Sequence, residues 1–361
     1  MPRRSATMLA ATLLLIAMLC ASVLPIMSVP YAEMSPGPTY NTLGQQNGKP
    51  VISIEGRKTY PTSGHLNMTT VQVTGADYRP SLVAAVVGWL RDDVDVVPHA
   101  NLYPDNQTEQ QAEQQNAEEF ASSQDSAKSA ALRQLGYPVG TDVIVESVVA
   151  GSPSQGKLHA GETIKAVDGT TVTKPEQVAE LVTKHKPGED VVFTVVPVGK
   201  AGSRSTRDNS PQTTQVTIRT VKAPGADRAM VGIQPGTKHT FPFSIDIGLQ
   251  DVGGPSAGLM FSLGIIDKLQ PTDLTGGKFV AGTGTISDTG QVGPIGGISM
   301  KTIAARGAGA QYFLTPADNC AEAAKDIPGG LTLVKVKSLG DALKALEAIR
   351  SGDTAALPSC S

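Results

Sequence analysis

The chain has 361 residues, enough for two domains that each bury a core of their own. Its net charge of -3, with 17% charged residues and no block of Lys or Arg, excludes the electrostatic footprint of a nucleic-acid-binding protein. Aromatics are few at 4%, whereas 38 glycines and 25 prolines exclude a plain helical bundle and predict a turn-rich α+β protein.

The first segment is apolar. Residues 5–32 carry no charge, and residues 8–24 are almost continuously hydrophobic, close to the ~20 residues that a spanning helix needs. Arg3 and Arg4 precede the run, so the positive-inside bias keeps the N-terminus in the cytoplasm. The expectation is an uncleaved single-pass anchor in the cytoplasmic membrane through residues 8–29, with everything after it extracytoplasmic. A cleaved signal peptide is the rival reading, but its apolar core spans only about 7–15 residues, and Pro30-Tyr31-Ala32 is a poor small-x-small site. Cys320 and Cys360 then fall on the outer side, where thiols are oxidised. A bond pinning the C-terminal tail and two unrelated free thiols are both open readings.

Residues 33–135 form an N-terminal segment outside the membrane. Alternating runs at 51–56 and 68–73 predict strands, and 81–92 has helical spacing. Residues 107–135, rich in Gln, Glu and Ala, are polar almost all round and predict a helix or a flexible connector. From 136 to 222 short strands alternate with turns around one helix after Lys174. Gly151 to Lys157 has the spacing of a phosphate loop, but Leu158 stands where Ser or Thr would ligate magnesium, so the run reads as a turn.

The runs V-x-S-V-x-x-G-S-P (145–153) and A-G-E-x-I-x-x-V-D-G (160–169) make this region resemble a PDZ domain of the type attached to bacterial proteases. The resemblance implies recognition of extended peptides added as a strand beside a sheet edge. It places the carboxylate-binding loop before the first strand, with Gly136, Tyr137 and Val139 as peptide-binding residues. That loop departs from the usual Gly-Leu-Gly-Phe form.

The remaining chemistry lies in residues 223–350, with 351–361 as a tail. Residues 252–263 read as a Gly-Gly-Pro turn before a helix, and Ser256, taken singly, is an N-cap. A helix N-terminus also gathers free N–H groups, which is what a developing oxyanion needs if the serine attacks a carbonyl. Gly254-Pro-Ser-Ala-Gly258 matches the elbow of α/β-hydrolases, but that order needs a later histidine. His65, His99, His159, His185 and His239 all precede Ser256. Lysine is the alternative base. Ile298, Lys301, Thr302 and Ala305 recur at i, i+3, i+4 and i+7, which puts Lys301 on an apolar stripe where desolvation lowers its pKa. A lysine snorkelling at the helix edge fits the same pattern.

The motifs G-P-S-A-G (254–258), T-G-T-I (283–286), G-Q-V (290–292) and P-I-G-G-I-S-M-K (294–301), in this order, make residues 223–350 resemble the proteolytic domain of Lon proteases. The resemblance implies Ser256 as nucleophile and Lys301 as general base. It implies Thr283 as the residue orienting the amine, supported by the Gly254-Pro255 turn. Gly253 stands where many Lon proteins have an acidic residue, and Ser299 replaces a first lysine. Taken whole, the chain resembles the membrane-anchored, PDZ-containing Lon-like serine proteases of Gram-positive bacteria. The strands near 51–73 would then complete the protease fold and make the PDZ domain an insertion. The sequence has no credible Walker motif, so the implied enzyme is an ATP-independent endopeptidase with no cofactor and no metal. It would act on unfolded proteins or peptides, and a homo-oligomer is compatible with the resemblance. The alternative is an inactive, membrane-tethered PDZ adaptor.

Overall fold

Strand-forming alternation begins just after the apolar N-terminal run, in Tyr31–Asn41 (β1). The computed structural model describes residues 8, 12–15, 18, 27–104, 107–198, 212–250 and 252–360. Among these, no helix is long and apolar enough to cross a membrane, and the expected anchor at 8–29 falls largely outside them. Ile52–Glu55 (β2) and His65–Val73 (β3) follow. Leu82–Trp89 is a short helix, α1, capped by the Ser81 hydroxyl, and Asp95–Pro98 is β4.

The Gln/Glu-rich stretch is a helix and not a connector: Glu109–Gln134 (α2) opens with a capping box between Thr108 and Gln111. Its buried face is built from small residues, Ala112, Ser123, Ala127, Ala130 and Ala131, around Phe120 and Leu132. It ends where Gly136 takes φ +74, so that the Gly136 and Tyr137 N–H groups reach back to the carbonyls of Arg133 and Leu132.

Residues Pro138–Pro242 fold as a separate unit. Gly140–Val148 (β5), Thr163–Val167 (β6), the helix Pro175–Thr183 (α3), Asp190–Val196 (β7), Thr214–Arg219 (β8) and Ile233–Thr240 (β9) build it. The strands pair antiparallel in the order β8-β7-β6-β5-β9 around Val145, Ile164, Val178, Phe193 and Ile218. The sequence boundary at 222/223 is corrected here. β9 pairs with β5 from Ile233↔Val148 to Thr240↔Gly140, so residues 223–242 belong to this unit.

The chain then returns to the first unit through Ser244–Ile247 (β10), Gly258–Leu269 (α4), Phe279–Gly282 (β11), Ile298–Gly307 (α5), Tyr312–Pro316 (β12), Thr332–Val336 (β13) and Leu339–Ser351 (α6). β2 pairs with β10, and β3 lies between β1 and β11 in a sheet of order β13-β12-β11-β3-β1-β4. Strands from before and after the second unit thus share sheets, and that unit is an insertion in the chain. β3, β11, β12 and β13 run parallel; at one side β1 pairs antiparallel with β3, and β4 antiparallel with β1. Cys320 and Cys360 are bonded, which ties the tail down across 40 residues; closing such a loop is worth roughly 2–4 kcal/mol.

α4 is buried on nearly every side, including Asp267 near its C-terminus. One Asp267 oxygen accepts the Leu274 N–H at 2.8 Å, while Oδ2 has no hydrogen-bond partner among the described residues. Burial raises this carboxyl from 3.8 to about 6. The folded state therefore holds the proton more tightly than the unfolded chain, and the associated stability, full below pH 3.8, is lost as pH rises through 6. Asp267→Asn keeps the acceptor for Leu274 without the charge. It is expected to raise the unfolding midpoint at pH 8, by the equivalent of about 1–2 kcal/mol, and to bring no gain at pH 4 by thermal melts.

Candidate active site

The turn entering α4 holds Ser256, and α2 fixes it from behind. Gly254 takes φ +81, a left-handed conformation that favours glycine, and its N–H donates to the Asn116 carbonyl at 2.9 Å. The Ser123 hydroxyl donates to the Pro255 carbonyl at 2.9 Å. The cap reading of Ser256 does not hold. α4 starts at Gly258 with Ala257 in the cap position, and no side chain caps it. Ser256 lies one residue earlier and its hydroxyl turns to Lys301.

Lys301 Nζ lies 2.8 Å from Ser256 Oγ and 3.1 Å from Thr283 Oγ1. The Thr283 hydroxyl donates to the Ser256 carbonyl at 3.0 Å, and the Gly284 N–H donates to the same oxygen at 2.8 Å. Thr283 thus holds both partners of the pair. The lysine reaches this point from α5, which packs against β1 and β3 and buries Ile298, Lys301, Thr302 and Ala305 together. At 2% exposure it does not snorkel. Burial alone brings its ammonium from 10.5 down to about 7. A neutral amine donating one N–H to Thr283 keeps its lone pair for the serine proton.

Pro255 has no N–H and that of Gly254 is engaged. The donors left at the head of α4 are the N–H groups of Ser256 and Ala257, which have no partner among the described residues. A cleft of about 350 Å³ opens at the pair, with Tyr40, Met68, Thr70, Val71 and Val252 in its walls. The register of β1 on β3 shifts between Pro36 and Thr39, a bulge in the strand that forms one wall. Among the described residues no cluster of His, Cys, Asp or Glu is arranged to hold a metal.

Sequence reasoning missed Asn116 and Ser123. Their signal is the spacing Ala112, Asn116, Phe120, Ser123, Ala127, a helical stripe obscured by the surrounding Gln and Glu. α2 also explains the glycine at 253: a Cβ there would come 2.9 Å from Asn116 Cβ. Gly253→Asp is expected to displace the nucleophile turn and lower the peptide cleavage rate roughly tenfold or more. Adding Asn116→Gly, which removes the obstructing atom, should recover part of that loss in the same assay.

Gly136 and Tyr137, expected from the sequence to bind peptide, belong to the first unit and not to the inserted one. Gly136 terminates α2. The Tyr137 ring packs on Phe243 at 5.3 Å, and its hydroxyl accepts from Arg57 at 3.1 Å, all within the first unit. Val139 lies just before β5 and is not among the residues lining the groove between α3 and β9. The groove of this unit, about 270 Å³, runs between α3 and β9, lined by Val178, Val182, Met230, Val231, Ile233 and Pro235. β9 is the last strand of its sheet, so a free edge faces that groove.

Two family models match separate stretches of the chain, with bounds that differ from those of the folded units. Residues 244–348 match the Lon protease (S16) C-terminal proteolytic domain, and residues 112–218 match the PDZ domain. The PDZ match begins inside α2, whereas the folded unit starts at Pro138. The Lon protease of Chloroflexus aggregans is 31% identical over 138 residues, 37% of this chain and 16% of that protein. Those of Azospirillum brasilense and Phenylobacterium zucineum are 35% and 38% identical over 118 and 113 residues, each 14% of the relative. The chain therefore spans less than a fifth of the curated relatives it matches. Among solved structures, the PDZ domain of an SdrC-like protein from Listeria monocytogenes aligns at 21% identity and TM-score 0.22, covering 26% of this chain and 86% of that one. The counterpart from Listeria innocua aligns at 23% and 0.21, covering 26% and 90%. The chain carries a Lon-type proteolytic domain and a PDZ domain.

Proposed function

We propose that this protein is an ATP-independent serine endopeptidase that uses a Ser256/Lys301 dyad outside the cytoplasmic membrane. The observation that carries the reading is a buried lysine amine 2.8 Å from a serine hydroxyl at the rim of an open cleft. Neutral Lys301 takes the Ser256 proton as Oγ attacks the scissile carbonyl, and the oxyanion rests on the Ser256 and Ala257 N–H groups. The lysine then returns the proton to the leaving amine, and water, deprotonated by the same amine, releases the acyl group from Ser256. Tyr40, Met68, Val71 and Val252 favour apolar side chains beside the cut. The groove between α3 and β9 takes an extended peptide as an added strand.

The disulfide supports an oxidising compartment, and the apolar run at 8–24 supports a membrane tether with the N-terminus inside. The test is to incubate full-length protein in detergent, without nucleotide, with a fluorophosphonate probe and with denatured casein. The expected result is probe on Ser256 and fragments cut after apolar residues. A protein that takes up no probe and cuts nothing is the inactive adaptor, and the proposal is wrong.

A further inference from the structure

Helix α1 is apolar on the wrong side for a soluble protein. Its inward positions are the small residues Ala85 and Gly88, and a Cβ on Gly88 would come 2.6 Å from Val96 Cγ2, so the helix lies hard against β4. Val83, Val86, Val87 and Leu90 point to solvent at 42–81% exposure, and Tyr78 is 49% exposed. Trp89, 53% exposed, donates its indole N–H to the Val96 carbonyl at 3.3 Å and packs edge-on against Tyr31 at 5.3 Å, which leaves the rest of its ring open. Val83, Val86, Val87 and Leu90 form a continuous i, i+3, i+4, i+7 stripe. A contiguous exposed apolar patch of this kind marks an interaction surface.

The chain itself indicates what covers it. Leu82 N–H donates to the Met27 carbonyl at 2.8 Å, Val29 N–H donates to the Pro80 carbonyl at 3.0 Å, and Ser28 bridges Ser81. The apolar run at 8–24 ends three residues before Met27, and three residues of chain span at most about 11 Å. Whatever surface that run enters, α1 must lie beside it. Trp89 and Tyr78 are the aromatic types that settle at the headgroup level of a bilayer, and Arg79 precedes the stripe, whereas Arg91 after it is paired with Asp93 at 2.8 Å.

We infer that α1 lies in the outer surface of the same membrane that holds residues 8–24, with Val83, Val87, Trp89 and Leu90 in its acyl boundary. The inference rests on the tether proposed above, but not on the peptidase reading. It makes the protein doubly attached: one segment through the bilayer, one helix along it. The orientation of the first unit on the membrane is thereby set by α1 rather than left to a free linker.

Trp89 is the only tryptophan, so its fluorescence reports this helix alone. The experiment reconstitutes full-length protein into phosphatidylcholine/phosphatidylglycerol vesicles, with or without phosphatidylcholine brominated near the headgroup, and checks attachment by flotation. The expected result is a blue-shifted Trp89 emission, loss of roughly a third or more of its intensity to brominated lipid, and shielding from iodide. The triple variant V83S/V87S/L90S should still float and cut peptides at the parental rate, but lose most of the lipid quenching.

Protein that floats while Trp89 stays open to iodide and insensitive to brominated lipid overturns the inference and leaves the tether standing. Shielding from iodide without lipid quenching means that a second copy or another segment covers the stripe, and also overturns it. A triple variant quenched as strongly as the parent does the same. Failure to float removes the tether, and the inference with it.

Discussion

Ser256→Ala and Lys301→Ala are each expected to lower peptide cleavage by about three orders of magnitude or more, because both atoms of the proton transfer act as one unit. The two losses should not multiply: the double variant is expected to match the worse single one, since removing either partner already leaves the other without a role. Ser256→Ala removes one oxygen, and its turn is still held by the Asn116, Ser123 and Gly284 hydrogen bonds, so the melting profile should stay close to that of the parent. Cleavage of an unfolded substrate, followed with circular dichroism on the same samples, checks both points. Cleavage at the parental rate by either single variant would falsify its assignment.

The second large effect belongs to Lys301 and to stability. Its folded pKa of about 7 lies below the 10.5 of the unfolded chain, so between these values the unfolded state binds more protons. Stability must therefore rise with pH from 7 to 10.5, by up to about 1.4 kcal/mol per unit, and level off below 7. Lys301→Met, similar in volume and without a charge to desolvate, is expected to be inactive yet more stable by a few kcal/mol at pH 7. Its own melting profile should lack that upward slope in alkaline buffer. Catalysis follows the same proton with the same sign: kcat/KM rises through pH 7 and falls about tenfold per unit below it, as the amine is charged and no longer accepts the serine proton. Calorimetry and initial rates across pH 5.5–9.5 test both. A parental rate that stays flat from pH 5.5 to 9.5 would remove the lysine as base.

The proposed pair was legible through its motifs, Gly-Pro-Ser-Ala-Gly and Pro-Ile-Gly-Gly-Ile-Ser-Met-Lys, read together as a resemblance to Lon proteolytic domains; the helix pattern alone left Lys301 open. Locally, Gly-Pro-Ser-Ala-Gly reads as a turn before a helix, in which Gly254 takes φ +81, and an apolar stripe through Lys301 forces a choice between burial and snorkelling. The choice itself was not legible: the stripe is equally good for both, and the packing of α5 on β1 and β3 decided it. Taken singly, Ser256 reads as a cap for the same reason: serine is chemically suited to cap, and the partner that draws its hydroxyl away is 45 residues distant.

Long-range pairing accounts for the other differences. β9 reads as the start of the proteolytic region until its edge is seen beside β5, which moves residues 223–242 into the inserted unit. With them went one wall of the apolar groove between α3 and residues 230–235. α2 read as either a helix or a connector because its buried face is alanine and serine, residues that add little hydrophobic signal but let two helices approach closely. That approach carries Asn116 and Ser123 to the nucleophile turn.

By itself the sequence determined the chemical alphabet of the site: a serine in a glycine turn, a lysine on a small-residue helix, a threonine between them in the chain, and no later histidine to compete. Only the tertiary structure decided that the lysine is dry, that the serine faces it, and that strands on both sides of an inserted unit close around them. Periodicity and turn chemistry act over a few residues and can be read in order. Desolvation and strand pairing depend on which distant segments arrive to exclude water, and that is a property of the assembled core.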